Sequence, residues 1–304
     1  MTTTLITSVT DGQKKQIKRF AEDAVDRAIA EGLFDKEGAQ TLIGNGDDWQ
    51  DHILAGIRKL SVSNQFADEE VESKYGYLSG YRQPKPIGLQ VKLLQGTFAN
   101  IGGANEKLAE QPLPPNTEGY FAIPRWEVLA RWQRSPERSN EPPLYEEALV
   151  KVFRQISASR NGKFHNYREG ALGADRLRLI PKTIKALEKL AKQQEGYDIL
   201  VVPCQFGFRH RGRSVRRARK VMTRGEFGLD PFSITCMLLT HEERLKHHDD
   251  PWIDCAGADY DFVGAGRFDY APFFVFDGVR VKFDASGLDN PNGHFGSASG
   301  VSPQ

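Results

Sequence analysis

The sequence predicts an α/β or α+β protein, with a small helical unit ahead of a domain that carries a short mixed or parallel sheet. Three observations predict this class. Short segments with apolar stripes fill the first 60 residues, helix and strand patterns alternate after Leu144, and the stretch from Phe273 to Phe283 (FFVFDGVRVKF) has the pattern of a hairpin. At 304 residues, the chain is long enough for one large domain or two modest ones.

The first 62 residues are predicted to form a unit of three helices. Thr10 and Gln13 form a capping box ahead of a long amphipathic helix that stops near Gly32. A second helix covers residues 35–43, and a third begins near Asp47. Helix-turn-helix DNA readers and plain docking modules share this outline, and the absence of a basic recognition helix favours docking.

Residues 63–143 are interpreted as a linker with irregular and β structure. The alternation Ile87-Gly-Leu-Gln-Val-Lys-Leu93 predicts a strand, residues 120–123 predict another, and residues 125–134 predict a short helix. The polar stretch 135–143 marks the boundary of the next domain.

Residues 144–304 are predicted to form an α/β domain with flanking helices and a C-terminal hairpin. Helices at 144–156 and 180–194 precede a strand at Ile199–Val202, a basic helix at Ser214–Met222 and a strand at Phe232–Leu239. This succession is typical of a parallel sheet with a crossover. A third short strand is expected at residues 252–255, and the Gly/Ser-rich tail from Ala285 either closes over the core or is loose.

Composition argues against a membrane or secreted protein. No apolar run approaches the roughly 20 residues needed to span a bilayer, and the N-terminus does not resemble a secretory signal. The cysteines Cys204, Cys236 and Cys255 form no CxxC pair, so reduced thiols in a bacterial cytoplasm are expected.

Charge is strongly segregated along the chain. Residues 1–150 carry 17 basic and 22 acidic side chains, residues 151–225 carry 19 and 5, and residues 226–304 carry 5 and 13. The middle block therefore has a net charge of +14. Such blocks indicate either a basic surface for a polyanion or oppositely charged faces that pack together.

The centre of the basic block is the loop and helix that follow the strand at Ile199. Gly207 and Gly212 allow close approach of backbone to a ligand, and Ser214 is a good N-cap whose helix N-terminus attracts anions. Guanidinium groups hold phosphate bidentately. The predicted binding residues are Gly207, Arg209, Arg211, Gly212, Arg213, Ser214, Arg216, Arg217 and Lys220, with Arg168 from the polar loop 163–169 as a further contact.

A catalytic interpretation rests on residues that a parallel sheet would bring to one edge. Cys204 and His210 follow the first strand, and His241 follows the second. Asp254 and Cys255 would join them from a third strand. Nucleophile, base and orienting group could then converge in a hydrolase or nuclease, although a buried cysteine is more often a small apolar filler.

No metal site or cofactor is expected. The tract His247-His248-Asp249-Asp250 resembles a metal site only superficially, because adjacent side chains are expected to point in different directions.

Several of these segments resemble an uncharacterised family of hypothetical proteins from environmental bacterial genomes. The resemblance lies in GKFHNYREGALG, ILVVPCQFGFRHRGRSVRRAR, LLTHEERL, WIDCAGADY and FGSASG, from about Tyr145 onward. The family has no known activity, so the resemblance implies no function.

The sequence therefore favours a protein that binds nucleic acid or a phosphorylated ligand through its Arg-rich loop and helix. One alternative is a structural or assembly protein of a mobile element, which leaves a homo-oligomer open. A second alternative is the hydrolase or nuclease described above.

Overall fold

The computed structural model of the chain describes residues 10–60 and 65–302. It divides the chain into two compact units, Met1–Val62 and Ser63–Gln304. Helices and mixed sheets together make an α+β protein. No helix among the described residues is long and apolar enough to cross a membrane.

The first unit contains the three helices that the sequence predicts: α1 (Asp11–Ala30), α2 (Lys36–Gly44) and α3 (Gly46–Leu60). The capping box is present, with the amide of Gln13 donating to Thr10 Oγ1 over 3.3 Å. No residue of α1 or α2 is buried. The apolar stripes of these helices are therefore not covered by a core among the described residues.

The second unit mixes helices with two sheets. Its helices are α4 (Ile87–Thr97), α5 (Trp126–Arg131), α6 (Tyr145–Ser159), α7 (Pro181–Gln193), α8 (Val215–Val221) and α9 (Pro231–Thr240). Its strands are β1 (Gly119–Pro124), β2 (Phe164–Asn166), β3 (Leu177–Leu179), β4 (Ile199–Gln205), β5 (Glu226–Gly228), β6 (Trp252–Asp254), β7 (Ala258–Tyr260), β8 (Tyr270–Asp277), β9 (Arg280–Gly287), β10 (Phe295–Ser297) and β11 (Ser299–Val301).

The smaller sheet has the order β1-β4-β11-β5, and its pairs are antiparallel. The larger sheet has the order β10-β6-β8-β7-β3, with β9 pairing both β8 and β2. Parallel pairing joins β10 to β6 and β2 to β9. The prediction of a parallel sheet around Ile199 is therefore wrong, because both neighbours of β4 run antiparallel to it.

The segment from Ile87 to Leu93 is a helix and not the predicted strand. Its alternation also fits a helical stripe, since Val91, Leu94 and Phe98 follow Ile87 at spacings of three or four and are buried. The side chain of Gln90 hydrogen-bonds to backbone groups of β1: it accepts from the amide of Ala122 and donates to the carbonyl of Tyr120, over 2.9 Å each.

The predicted strand at Phe232–Leu239 is also a helix, α9. An N-terminal signal was present in the sequence: Asp230 caps the helix, and Pro231 occupies its first turn. Nine of its ten residues are buried, so the apolar stripe that distinguishes a surface helix from a buried strand is missing.

The C-terminal hairpin is confirmed, with β8 and β9 paired from Tyr270 and Gly287 to Asp277 and Arg280. The two turn residues are Gly278 and Val279, one position later than the sequence predicts. Beyond the hairpin the tail is not loose, because β10 extends the larger sheet and β11 lies between β4 and β5 in the smaller one.

Residues 63–143 belong to the second unit and are not a separate linker. Tyr81, Leu94, Phe98 and Phe121 from this segment lie in the main hydrophobic core, each with at most 2% of its surface exposed. The domain boundary expected at 135–143 falls inside this unit, whereas the boundary at 62 coincides with the division between the two units.

Candidate functional site

The Arg-rich loop folds onto the protein's own backbone. Gly207 and Gly212 have φ values of 113° and 73°, which favour glycine. A Cβ at Gly207 would collide with the carbonyl of Gly296, and one at Gly212 with the carbonyl of Val71. The glycines are therefore required for close approach, as the sequence predicts, but what they approach is a neighbouring segment of the same chain.

The N-terminus of α8 is occupied by a carboxylate of the protein itself. Glu69 ends a short 3₁₀ helix (Ala67–Glu69) and accepts a hydrogen bond from the hydroxyl of Ser214 over 2.6 Å. Its carboxylate also pairs with the guanidinium of Arg216, and Arg216 is the largest of the influences that lower the pKa of Glu69. Two of the side chains predicted to bind an external anion, Ser214 and Arg216, therefore hold Glu69.

The neighbouring Glu70 binds two more arginines. It pairs with Arg217, and one of its oxygens lies 3.2 Å from Nε of Arg213. Burial opposes ionisation of Glu70, but the two guanidinium groups together lower its pKa. We call Asp68, Glu69, Glu70 and Glu72 the acidic strap.

Three of the remaining predicted binding residues, Arg209, Arg211 and Arg168, are also held by the protein. Arg209 pairs with Glu226 at 3.2 Å, and Arg211 donates to backbone carbonyls while stacking over the ring of Phe208. Arg168 pairs with Asp284. Lys220 is exposed.

These contacts remove the geometric basis for an open cationic surface on the loop and helix. The charge segregation is explained by packing between segments of opposite sign, which was one of the two interpretations of the sequence. Binding of nucleic acid or of a phosphorylated ligand by these residues stays a prediction.

His210 lies in a buried polar network and not beside Asp254. Its Nε2 is 2.7 Å from Glu226, whose carboxylate also accepts from Ser299 over 2.7 Å. Burial is the main cause that lowers the pKa of His210, with the nearby charges of Arg209 and Arg213 adding to it. His210 is therefore a neutral structural group at pH 7.

His241 follows α9, with both ring nitrogens engaged. Its Nε2 accepts from the amide of Lys85 over 2.9 Å, and its Nδ1 lies 3.1 Å from the carbonyl of Met237. Burial, together with the charge of Lys85, lowers the pKa of His241 to about 4. A ring with no free nitrogen cannot act as a base without rearranging.

The remaining catalytic candidates are buried. Burial raises the pKa of both Cys204 and Cys255, which keeps these thiols protonated. Asp254 is 3% exposed and lies on β6, beside Ser297 of β10. Among the described residues, no hydrogen bond joins any two of Cys204, His210, His241 and Asp254.

The His247-His248-Asp249 tract differs from its sequence interpretation. One ligand atom from each of the three residues lies within 4.8 Å of the others, so adjacent side chains do converge here. Asp250 instead turns inward and accepts from the amides of Leu78 and Ser79 over 2.8 and 3.1 Å.

A cavity of about 370 Å³ opens in the second unit. No residue of the Arg-rich loop or of the His247-His248-Asp249 tract lines it. It lies within the size range of ligand sites in proteins. Its walls come from the end of β1, from β3 and the start of β4, from the starts of α5, α6 and α9, and from one face of α7. Its apolar lining residues are Ile123, Pro124, Trp126, Ala174, Leu177, Leu179, Ile184, Leu187, Ala191, Leu200 and Phe232.

One side of the cavity is aromatic. The ring of Tyr145 lies 5.8 Å from that of Trp126 and 6.4 Å from that of Phe232, between ring centroids. The hydroxyl of Tyr145 donates to Asp230 over 2.6 Å and accepts from the amide of Phe232 over 3.1 Å. Burial and the charge of Asp230 raise the pKa of Tyr145, so its ring is held in place as a neutral phenol.

Arg125 is the arginine of the lining that forms no ion pair among the described residues. Its Nε is buried with no hydrogen-bond partner, and no ion pair of Arg125 occurs within residues 10–60 and 65–302. Arg178, Glu127 and Glu188 also line the cavity, and Arg178 already pairs with Asp259 at 3.3 Å. Arg125 is thus a cation without an internal counter-ion.

Sequence reasoning missed this cavity because its residues come from seven separate elements. The stretch Pro124-Arg125-Trp126 was identified only as the start of a helix. The available signal in the sequence was an arginine between the end of a strand and an aromatic residue. Whether this arginine forms an ion pair depends on the fold.

Fold and cavity together define an α+β protein with a helical N-terminal unit and a ligand-sized apolar site in its larger unit. No family model, curated protein or solved structure matches the chain. The resemblance to a family of hypothetical proteins stays a prediction.

Proposed function

We propose that the second unit binds a small ligand with a planar apolar body and an anionic head group, in the cavity beside Arg125. The observation that carries the proposal is a partly buried guanidinium without a counter-ion at the wall of an apolar site. Burying such a charge unpaired is costly, and a carboxylate or phosphate would offset that cost through charge-assisted hydrogen bonds.

The shape of the ligand follows from the walls. The rings of Trp126, Tyr145 and Phe232 offer edges and faces to a flat apolar group, which favours an aromatic or conjugated ligand body. Arg178 is paired with Asp259, so it does not compete with Arg125 for the head group. Glu127 and Glu188 also line the cavity, but no ion pair joins either of them to Arg125 among the residues that the structure describes. The hydroxyl of the lining residue Ser233 is already engaged, since it donates to Asp230 over 2.6 Å.

The test compares two probes of the same shape, 2-naphthoate and naphthalene-2-methanol, by titration calorimetry on the full chain. The carboxylate is expected to bind more tightly than the alcohol. Arg125→Gln should weaken the carboxylate about tenfold or more, as expected for a lost hydrogen bond to a charged group, and leave the alcohol unchanged.

Two further variants make the result specific. Arg131→Gln is the matched control, because Arg131 is an exposed arginine of the same helix α5 that does not line the cavity. Ala191→Leu fills the cavity and should abolish binding of both probes. Equal carboxylate binding by wild type and Arg125→Gln, or binding that Ala191→Leu leaves intact, would refute the proposal.

A further inference from the structure

The first unit presents an apolar groove that its own helices leave open. The groove has a volume of about 1020 Å³ and is lined by residues of α1, α2 and α3. Of the lining side chains, Ile29 is 56% exposed and Ile43 71%. Side chains of this size are normally buried when helices pack, and three helices of this length need a shared core to be stable.

Helix α1 carries its charges in two blocks of opposite sign. Its first half, residues 11–19, has four bases and one acid, a net charge of +3. Residues 20–31 have one base and four acids, a net charge of −3. The bases are Lys14, Lys15, Lys18 and Arg19, and the acids are Glu22, Asp23, Asp26 and Glu31.

The helix dipole does not explain this order of charges. Asp11 in the first turn and Arg27 in the last turn are favourable with the dipole, and its effect is confined to those turns, so the other charges of α1 gain nothing from it. The ion pairs within the helix, such as Arg19 with Asp23 at 3.7 Å, are exposed and contribute little. Local helix stability therefore does not account for the arrangement.

A second copy of the same helix, running antiparallel, does account for it. The apolar stripe extends from Ile17 to Ile29 and has its centre near residue 23. An antiparallel partner aligned on that centre places the basic half of each helix beside the acidic half of the other. It brings Lys15 opposite Glu31 and Arg19 within one position of Asp26, while the two stripes cover each other.

We infer that two copies of this chain associate through their first units, α1 against α1 in antiparallel orientation, so that the apolar groove is covered and the opposite charge blocks meet. The pairing is isologous, as in most homodimers, because the same patch serves both copies. This inference is independent of the cavity beside Arg125, since it uses only residues of the other unit.

The first experiment exchanges charges without touching the apolar stripe. Lys18→Glu/Arg19→Glu gives both halves of α1 a net negative charge (−1 and −3), and Asp23→Lys/Asp26→Lys gives both a net positive charge (+3 and +1). These four residues are exposed, and circular dichroism reports whether helix content is kept. Sedimentation equilibrium of the full chain should show a dimer for wild type and dimerisation at least about tenfold weaker for each variant, because like charges then face each other.

Mixing the two variants supplies the complementary readout. An acidic α1 and a basic α1 should form a heterodimer, and the fourfold variant with both exchanges should regain the homodimer. A wild-type chain that stays monomeric at 100 μM protein, taken as about a hundred times a micromolar Kd, would overturn the inference. A dimer that survives either exchange unchanged would overturn the antiparallel arrangement.

Cysteine cross-linking tests the orientation directly. The native cysteines Cys204, Cys236 and Cys255 are buried, so a cysteine introduced on α1 is the accessible thiol. Ala24→Cys lies near the centre of the stripe and should form an intermolecular disulfide under mild oxidation. Ile29→Cys should not, because its mate in an antiparallel pair lies about 18 Å away along the helix axis. Efficient cross-linking at both positions would indicate parallel helices and refute the inference.

Discussion

At the scale of single residues, burial decides what several ionisable side chains do. Asp254 is the clearest case: its Oδ2 is buried without a hydrogen-bond partner, and burial raises the pKa of Asp254 to about 7. The sequence identified this residue as a catalytic candidate by type and position, but it could not show whether the carboxyl group has a partner.

Asp254 therefore makes stability depend on pH. The unfolded chain loses this proton near pH 3.8, whereas the folded protein keeps it up to about pH 7. The free energy of unfolding should fall by about 4 kcal/mol as the pH rises through that window. Asp254→Asn should be more stable than wild type at pH 8 and close to it at pH 4.

Urea denaturation of both proteins at pH 4, 6 and 8 measures the effect. Asp289→Asn, which removes an exposed acid, is the control and should leave the pH dependence unchanged. An Asp254→Asn protein whose stability falls with pH as steeply as wild type would contradict the assignment.

At the scale of secondary-structure elements, the acidic strap and α8 act as one unit. Glu69 and Glu70 bind Arg213, Ser214, Arg216 and Arg217, so the most basic element of the chain is held by a short 3₁₀ helix about 145 residues earlier. The sequence predicted α8, its N-cap and its need for an anion. The identity of the anion depended on which distant segment lies beside it.

Removing the strap's charge should expose the latent anion site. Glu69→Gln/Glu70→Gln should lower the free energy of unfolding by about 1–3 kcal/mol, because buried guanidinium groups lose their partners. It should also increase affinity for a single-stranded oligonucleotide in anisotropy titrations, and this affinity should fall as salt rises.

The matched control is Glu72→Gln, which removes an exposed acid of the strap that pairs loosely with Lys74 at 3.9 Å. If the double variant and wild type bind the oligonucleotide equally, the arginines are not a nucleic-acid site held closed by the strap. Wild-type binding that is already strong and salt-sensitive would instead support the original sequence prediction.

At the scale of the whole molecule, the C-terminal tail joins the two sheets of the larger unit. Strand β10 pairs with β6 in the larger sheet, and β11 then enters the smaller sheet between β4 and β5. Gln205 ties the junction together, donating to the carbonyl of Ser297 over 2.8 Å and to the hydroxyl of Ser299 over 2.9 Å. The Gly/Ser-rich tail is thus a central part of the fold.

Deleting residues 290–304 should therefore abolish the tertiary structure of the second unit. Without β11, strands β4 and β5 have no common neighbour, and their backbone groups are left unpaired inside the protein. Loss of the near-ultraviolet circular dichroism signal and of a cooperative thermal transition is expected. Deleting only residues 303–304 is the control and should leave both intact, whereas a cooperative transition in the long deletion would contradict this role.

The sequence by itself determined the elements whose signals are local. The capped helix α1, the hairpin β8–β9, the N-cap of α8 and the start of the second unit near residue 62 follow from spacing, turn residues and charge over a few positions. The tertiary structure alone decided that α4 and α9 are helices, that β4 has antiparallel neighbours, and that the arginines of the basic loop and α8 have internal partners. It also decided that Arg125 has no ion pair among the residues that the structure describes. These features depend on contacts between residues far apart in the chain, and burial in the core outweighs the modest local preferences that a sequence pattern records.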